Sequence, residues 1–339
     1  MRNNIVILLL AFFLFSCAEK VKEQGPVITL TNGTVEIKLL PAVGGTLVSA
    51  SLSGHQNILH SDSTQWDEPA DQRPTMDPGQ PWKAYNGMIV WLSPQSEWWV
   101  KQDAHPELKD AKAPWPPDPY LTSSAYKVVK QSKDEITLEG PESPYTHMQF
   151  TKNFKIEGNK IFISVSARNC SDDTLSWGLW FNTRMNGWDK VYVPADSSDL
   201  IKTQYMNPQD LHLPELKYAD GYFSYAAVEP LEGQRPYKSK SFLSVDDPVI
   251  IGNKANQWLI IRSEKVDKTL IHPEQGRIEI YVENSSDKAN DLQELEMHFP
   301  YEKIPPGASI HASEIWEIIP DPEGPGDADL SKDLKVMVP

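Results

Sequence analysis

Residues 147–168 read HMQFTKNFKIEGNKIFISVSAR. Two runs rich in β-branched and aromatic residues, His147 to Ile156 and Lys160 to Arg168, flank Gly158-Asn159. Such runs about a Gly-Asn pair predict a β-hairpin, because both residues accept the backbone of a tight turn. The rhythm extends upstream. Val27 to Leu30 and Thr34 to Leu40 are split by Asn32-Gly33, which predicts a second hairpin. Leu47, Ser49 and Ser51 then alternate with Val48, Ala50 and Leu52, and Gly54-His55 turns the chain into a short run, Asn57 to Leu59. Ala125 to Gln131 and Glu135 to Glu139 precede the quoted hairpin. Leu175 to Arg184, Phe242 to Val245, Val249 to Ile251, Gln257 to Arg262, Arg277 to Val282, Leu292 to Tyr301 and Ser309 to Ile319 follow it. Helical periodicity is nowhere sustained over three turns, and no repeat of fixed period appears. Many short strands between turn residues predict an all-β sandwich or barrel, one domain over residues 26–319. The acidic Pro/Gly-rich tail, residues 320–339, is expected to be loose or surface-hugging.

Residues 60–120 break the strand rhythm. They are dense in Pro, Asp and Gln and contain Trp66, Trp82, Trp91, Trp98, Trp99 and Trp115. Disordered segments are poor in aromatics, so an ordered Trp/Pro-rich insertion is expected, packed over one end of a sheet.

The N-terminus carries a different signal. Met1-Arg2-Asn3-Asn4 gives a basic start, and Ile5 to Phe15 is an uncharged apolar run, short of the about 20 residues that a membrane-spanning helix needs. Leu14-Phe15-Ser16-Cys17 places a small residue before a cysteine, as in the lipobox of bacterial lipoproteins. Residues 1–17 therefore read as a lipoprotein signal with Cys17 as the lipidated residue, and residues 18–25 as a tether. The expected location is the cell envelope, on the periplasmic or surface side of the outer membrane, with membrane contact through the anchor only. With Cys17 lipidated, Cys170 has no intramolecular disulfide partner and reads as a structural thiol.

A net charge of -15 argues against nucleic acid or an anionic membrane surface as a partner, since both require a positive face. No Gly-rich phosphate loop, paired-Cys metal pattern or Gly-x-Ser-x-Gly elbow is present, so neither cofactor nor metal is expected.

Chemistry is concentrated on two strands. In Glu294 to Phe299, Leu295, Met297 and Phe299 share one face, and Glu294, Glu296 and His298 share the other. Two carboxylates and an imidazole in a row suit general acid and base work. The same alternation also describes the polar face of a half-exposed strand, and that is the simpler expectation. In Leu175 to Arg184, Trp180, Asn182 and Arg184 share a face, with Asn186 and Trp188 just beyond. An indole covers the apolar face of a pyranose while amide and guanidinium take its hydroxyls, although a Trp stripe also serves as core. The insertion adds Asn86, Trp91, Gln95 and Trp115 as further ligand-binding candidates.

The order of several motifs resembles a known superfamily. Gly33 to Ile37, then Pro41-Ala42-Val43-Gly44-Gly45-Thr46-Leu47, look like the start of galactose mutarotase-like domains, and Glu294 to Glu296, Ile304 to Ser309 and Glu314 to Trp316 resemble their end. Asn86-Gly87, Trp91 to Gln95 and Trp115 to Asp118 are similar to the DUF4380 group within it. The resemblance implies a β-supersandwich whose concave sheet holds a carbohydrate. Mutarotases of the superfamily use a late-strand Glu as base, matched here by Glu294 or Glu296, and a middle-strand His as acid. Trp180-Phe181-Asn182 stands where that His is expected, so His298 or His147 would have to replace it. Three readings follow: a carbohydrate-binding lipoprotein, an aldose epimerase with a non-standard His, or a structural lipoprotein that kept only the fold.

Overall fold

The computed structural model describes residues 27–185, 187, 190–206, 216–226, 237–285 and 291–321. The signal segment with Cys17, the tether, Asn186, Trp188 and the tail beyond Asp321 lie outside them. Along the chain run β1 (Ile28–Thr31), β2 (Val35–Leu40), β3 (Thr46–Leu52), β4 (Met88–Ser93), α1 (Pro106–Asp110), α2 (Pro119–Thr122), β5 (Lys127–Gln131), β6 (Glu135–Glu142), β7 (Met148–Glu157), β8 (Lys160–Asn169) and β9 (Leu175–Met185). Then come β10 (Lys190–Pro194), β11 (Leu200–Tyr205), β12 (Lys217–Ala219), β13 (Tyr222–Ala226), β14 (Tyr237–Leu243), β15 (Val249–Lys254), β16 (Gln257–Ser263), β17 (Ile278–Asn284), β18 (Leu292–His298), β19 (Glu302–Ile304) and β20 (Ser309–Pro320).

These strands make two antiparallel sheets. The first has the order β1-β2-β3-β4-β9-β18-β17-β14-β11, with β19 pairing β9. The second runs β12-β13-β10-β15-β16-β20-β8-β7-β6-β5. Their inner faces meet in one apolar core. Val90, Phe181, Leu295, Met297 and Ile280 come from the first sheet, and Phe150, Phe154, Ile163, Leu259 and Trp316 from the second. Strict alternation drives this packing: in β7 every second residue from Met148 to Ile156 is buried, and the same holds in β20. The expected hairpins form at Gly33 (φ 88°) and Gly158 (φ 55°), where the left-handed backbone favours glycine.

Three expectations change. The insertion is not wholly irregular, because Met88–Ser93 enters the first sheet between β3 and β9. All six residues of β4 are buried, so its sequence lacks the alternation that marks a half-exposed strand. Asn57 to Leu59 is not a strand. The Asn57 amide instead stands in for one, accepting from the Ala50 and Leu59 amides and donating to the Val48 carbonyl. Finally, β20 runs on to Pro320, and Asp321 is buried with its carboxylate 2.8 Å from Asn253 Nδ2.

Candidate functional site

Strands β9, β18, β17 and β14 lie side by side in register, so their outward residues form rows on the face of the first sheet away from the core. One row is His298 beside Trp180, with Trp91 of β4 next to it. The next is Glu279, Glu296 and Asn182, and the third is Tyr281, Glu294 and Arg184. Lys240 reaches in from β14. The row Glu294, Glu296, His298 is not the polar face of a half-exposed strand: Glu296 and His298 are 0% exposed and Glu294 is 6% exposed.

The insertion supplies the cover. Trp98 lies over Trp180 with ring centroids 6.1 Å apart and planes at 25°, and His298 stacks on Trp180 at 5.0 Å and 28°. Trp91 meets Trp180 edge-on at 4.6 Å, and Trp115 meets Trp82 and Trp91 edge-on at 5.0 and 6.1 Å. Trp115 keeps 42% of its surface exposed and forms the outer part of this aromatic roof. The roof is fastened at several points. Trp99 Nε1 donates to the Pro116 carbonyl, and the buried Asp118 carboxylate accepts from Ser143 and Thr146 hydroxyls at the β6–β7 hairpin. Gly87 (φ 77°) brings the chain into β4; a Cβ there would sit 2.2 Å from the Leu47 carbonyl oxygen.

Charges on this face are paired. Arg184 Nη2 lies 2.7 Å from Glu294 Oε1, its Nη1 donates to Asn86 Oδ1 at 3.0 Å, and its Nε donates to Asn182 Oδ1. Lys240 Nζ lies 2.6 Å from Glu279 Oε2 and 2.8 Å from Glu296 Oε2, and 4.6 Å over the Trp180 ring. His298 Nε2 is 3.3 Å from Glu279 and 3.6 Å from Glu296. Burial pushes the Glu296 carboxyl up to about 7, against the pull of Lys240. Burial acts on Glu279 in the same direction, but the charges of His298 and Lys240 outweigh it and hold that carboxyl below its ordinary value. Burial would lower His298, yet the two glutamates raise it. The cluster thus holds opposite charges in contact out of water, where their interaction is strong.

Several polar atoms here have no protein hydrogen-bond partner although they are buried: Trp91 Nε1, Trp180 Nε1, Asn182 Nδ2, Glu296 Oε1 and His298 Nδ1. Buried polar groups are nearly always paired, and each orphan costs about 1–3 kcal/mol. Here donors and an acceptor are left over together, on adjacent positions of one face.

The structure therefore brings Glu294, Glu296, His298, Trp180, Asn182, Arg184, Asn86, Trp91 and Trp115 to one place. Gln95 does not join them; it is half-buried and donates to the Pro114 carbonyl at 2.6 Å, tying the insertion to itself. His147 also lies apart from this face. It sits in the β6–β7 hairpin of the second sheet, half-exposed, 3.6 Å from Glu142. The Arg184 ion pair occupies Glu294, which leaves Glu296 as the glutamate with a free oxygen. Sequence reading missed Glu279, Lys240 and the part Trp98 plays. Glu279 and Tyr281 alternate with Ile278, Ile280 and Val282 just as the β18 row does, so the signal was present. Lys240 was hidden because its strand turns Ser239 and Ser241 inward, which blurs the apolar rhythm.

The architecture is that of galactose mutarotase-like proteins. The chain aligns with a galactose mutarotase-like protein from Lactobacillus casei at a TM-score of 0.56 and 11% identity, covering 86% of this chain and all of that one (100%). A galactose mutarotase-like protein from Clostridium acetobutylicum gives 0.53 and 13%, over 87% and 95% of the two chains. An aldose 1-epimerase candidate from Klebsiella pneumoniae gives 0.55 and 11%, over 89% and 80%. At these identities the likeness is one of fold. Within that class the chain belongs to the family "Domain of unknown function (DUF4380)", whose model matches residues 26–319. None of the curated proteins matches it.

Proposed function

We propose that this chain binds an uncharged sugar against the β9–β18–β17 face beneath the tryptophan roof. The observation that carries the reading is the set of partnerless buried atoms on Trp91, Trp180, Asn182, Glu296 and His298. A sugar hydroxyl both donates and accepts, so it complements indole, amide and carboxylate together. The flanking rings supply apolar faces for a pyranose. The cations Arg184 and Lys240 already hold carboxylates of the chain, so the site favours a neutral ligand.

A second reading is proton transfer at the anomeric centre, as in an aldose epimerase. It is favoured by Glu296 and His298, which stand side by side with unused polar atoms on the same sheet face. His298 faces Trp180 across the ladder, so the imidazole is offered one strand away from the middle strand that carries it in mutarotases. NMR of reducing sugars with the chain separates the two. Saturation transfer without faster anomer exchange supports binding alone. Faster exchange that Glu296→Gln abolishes supports the epimerase, and silence in both contradicts the sugar reading. The envelope location and the anchor at Cys17 rest on residues 1–17. Loss of the chain from the membrane fraction in Cys17→Ser tests them, and retention there contradicts them. Among the described residues no helix is long and apolar enough to cross a membrane.

A further inference from the structure

We infer that Glu279, Glu296 and His298 form a divalent-cation site, of the kind that takes Mn²⁺ or Zn²⁺, and that the Lys240 ammonium competes with the ion for it. The sequence shows no metal motif because one ligand comes from β17 and two from β18. Antiparallel register sets Glu279 directly opposite Glu296, and the two-residue strand period puts His298 on the same face.

The geometry fits a small metal ion. Ligand atoms of the three residues lie within 4.8 Å of one another. His298 Nε2 is 3.3 Å from Glu279 Oε2 and 3.6 Å from Glu296 Oε2. With metal–ligand bonds of about 2.0–2.1 Å, a tetrahedral ion separates its ligands by about 3.3 Å. An imidazole and two carboxylates suit first-row divalent ions rather than soft ones.

A second observation points to a ligand. His298 Nδ1 and Glu296 Oε1 lack a hydrogen-bond partner although both residues are 0% exposed, and His298 Nε2 meets only the two carboxylates of the cluster. The Gly276 amide donates to Glu279 Oε1 at 2.8 Å, which fixes that carboxylate with Oε2 turned toward the cluster. Lys240 is of another kind. Its ammonium sits between the two carboxylates, where a cation belongs, yet its side chain is 12% exposed while the glutamates and the histidine are 0% exposed. A four-carbon stem anchored on β14 can withdraw toward solvent, and an ion that enters then neutralises the two carboxylates. Positions on the ion not taken by protein would ligate sugar hydroxyls. Only that last step rests on the sugar reading.

The test uses the full-length chain, stripped with EDTA and titrated with Mn²⁺ and then Zn²⁺ by calorimetry, with no sugar present. The expected result is one ion per chain, lost in His298→Ala and bound at least tenfold more tightly by Lys240→Met. Circular dichroism checks the fold of each variant. Absence of binding in both wild type and Lys240→Met overturns the site, as does binding that His298→Ala leaves intact. Equal affinities of wild type and Lys240→Met overturn the competition. Because Lys240→Met leaves every ligand in place, it reads the site even where His298→Ala misfolds. Sugar binding, measured separately, can fail or succeed independently of these outcomes.

Discussion

Lys152→Met should make the protein more stable in acid than in base, relative to wild type. Lys152 lies on β7, is 2% exposed and donates to the Gly44 carbonyl at 2.7 Å, with its ammonium 5.1 Å over the Tyr126 ring. Gly44 in turn donates to the Ser124 carbonyl, where the insertion ends, so this amine ties the second sheet to the base of the roof. No carboxylate is paired with Lys152 among the described residues, and burial pushes its pKa from 10.5 down to about 7. Between those values the unfolded chain binds the proton and the folded chain does not, so stability rises with pH across that window. Below about 7 the fold carries the full penalty, about 5 kcal/mol for a shift of that size. Between pH 6 and pH 9 wild type should regain about 2.6 kcal/mol from this one group. Methionine has nearly the same shape and no charge, and losing the bond to Gly44 costs about 1 kcal/mol at any pH. Urea denaturation of both proteins at pH 6 and pH 9 gives the difference directly, with all other titrations cancelling. The mutant's advantage should be about 2.6 kcal/mol larger at pH 6 than at pH 9. An advantage that is the same at both values, within about 0.5 kcal/mol, refutes the reasoning.

Other perturbations test the roof and the charge network. Asp118→Ala removes the acceptor for Ser143 and Thr146 and should cost about 1–3 kcal/mol, with faster amide exchange in residues 113–124; unchanged exchange there contradicts its anchoring role. Arg184→Ala strands buried Glu294 and should cost about 3–5 kcal/mol, whereas Arg184→Ala with Glu294→Ala should cost less than the sum of the two, as a thermal double-mutant cycle will show. Trp115→Ala takes away a half-exposed ring and should shift stability by under about 1 kcal/mol while weakening sugar binding about tenfold; isothermal titration with equal affinities for both proteins would remove Trp115 from the site.

Most strands were legible because their alternation follows from one buried and one open face. β7 and β20 show that pattern without interruption. The reading failed where that premise failed. β4 is buried on both faces, since the tryptophan roof covers the side that would otherwise meet water, and its apolar run merged into the surrounding insertion. The same roof explains why Glu294, Glu296 and His298 are buried where a half-exposed face was the simpler expectation. Alternation correctly placed them on one face, but nothing local in β18 could say that Trp98 and Trp115 would close over it. Pairing was equally invisible. Glu279 and Lys240 meet Glu296 only through register across β17 and β14, a long-range property that no short motif encodes.

The most direct test of the central claim is saturation-transfer NMR with a panel of neutral hexoses and pentoses, comparing wild type with Asn182→Ala and Trp115→Ala. The account predicts transfer to at least one neutral sugar in wild type, reduced in both variants. No transfer across the panel, or transfer that both variants leave unchanged, would contradict it.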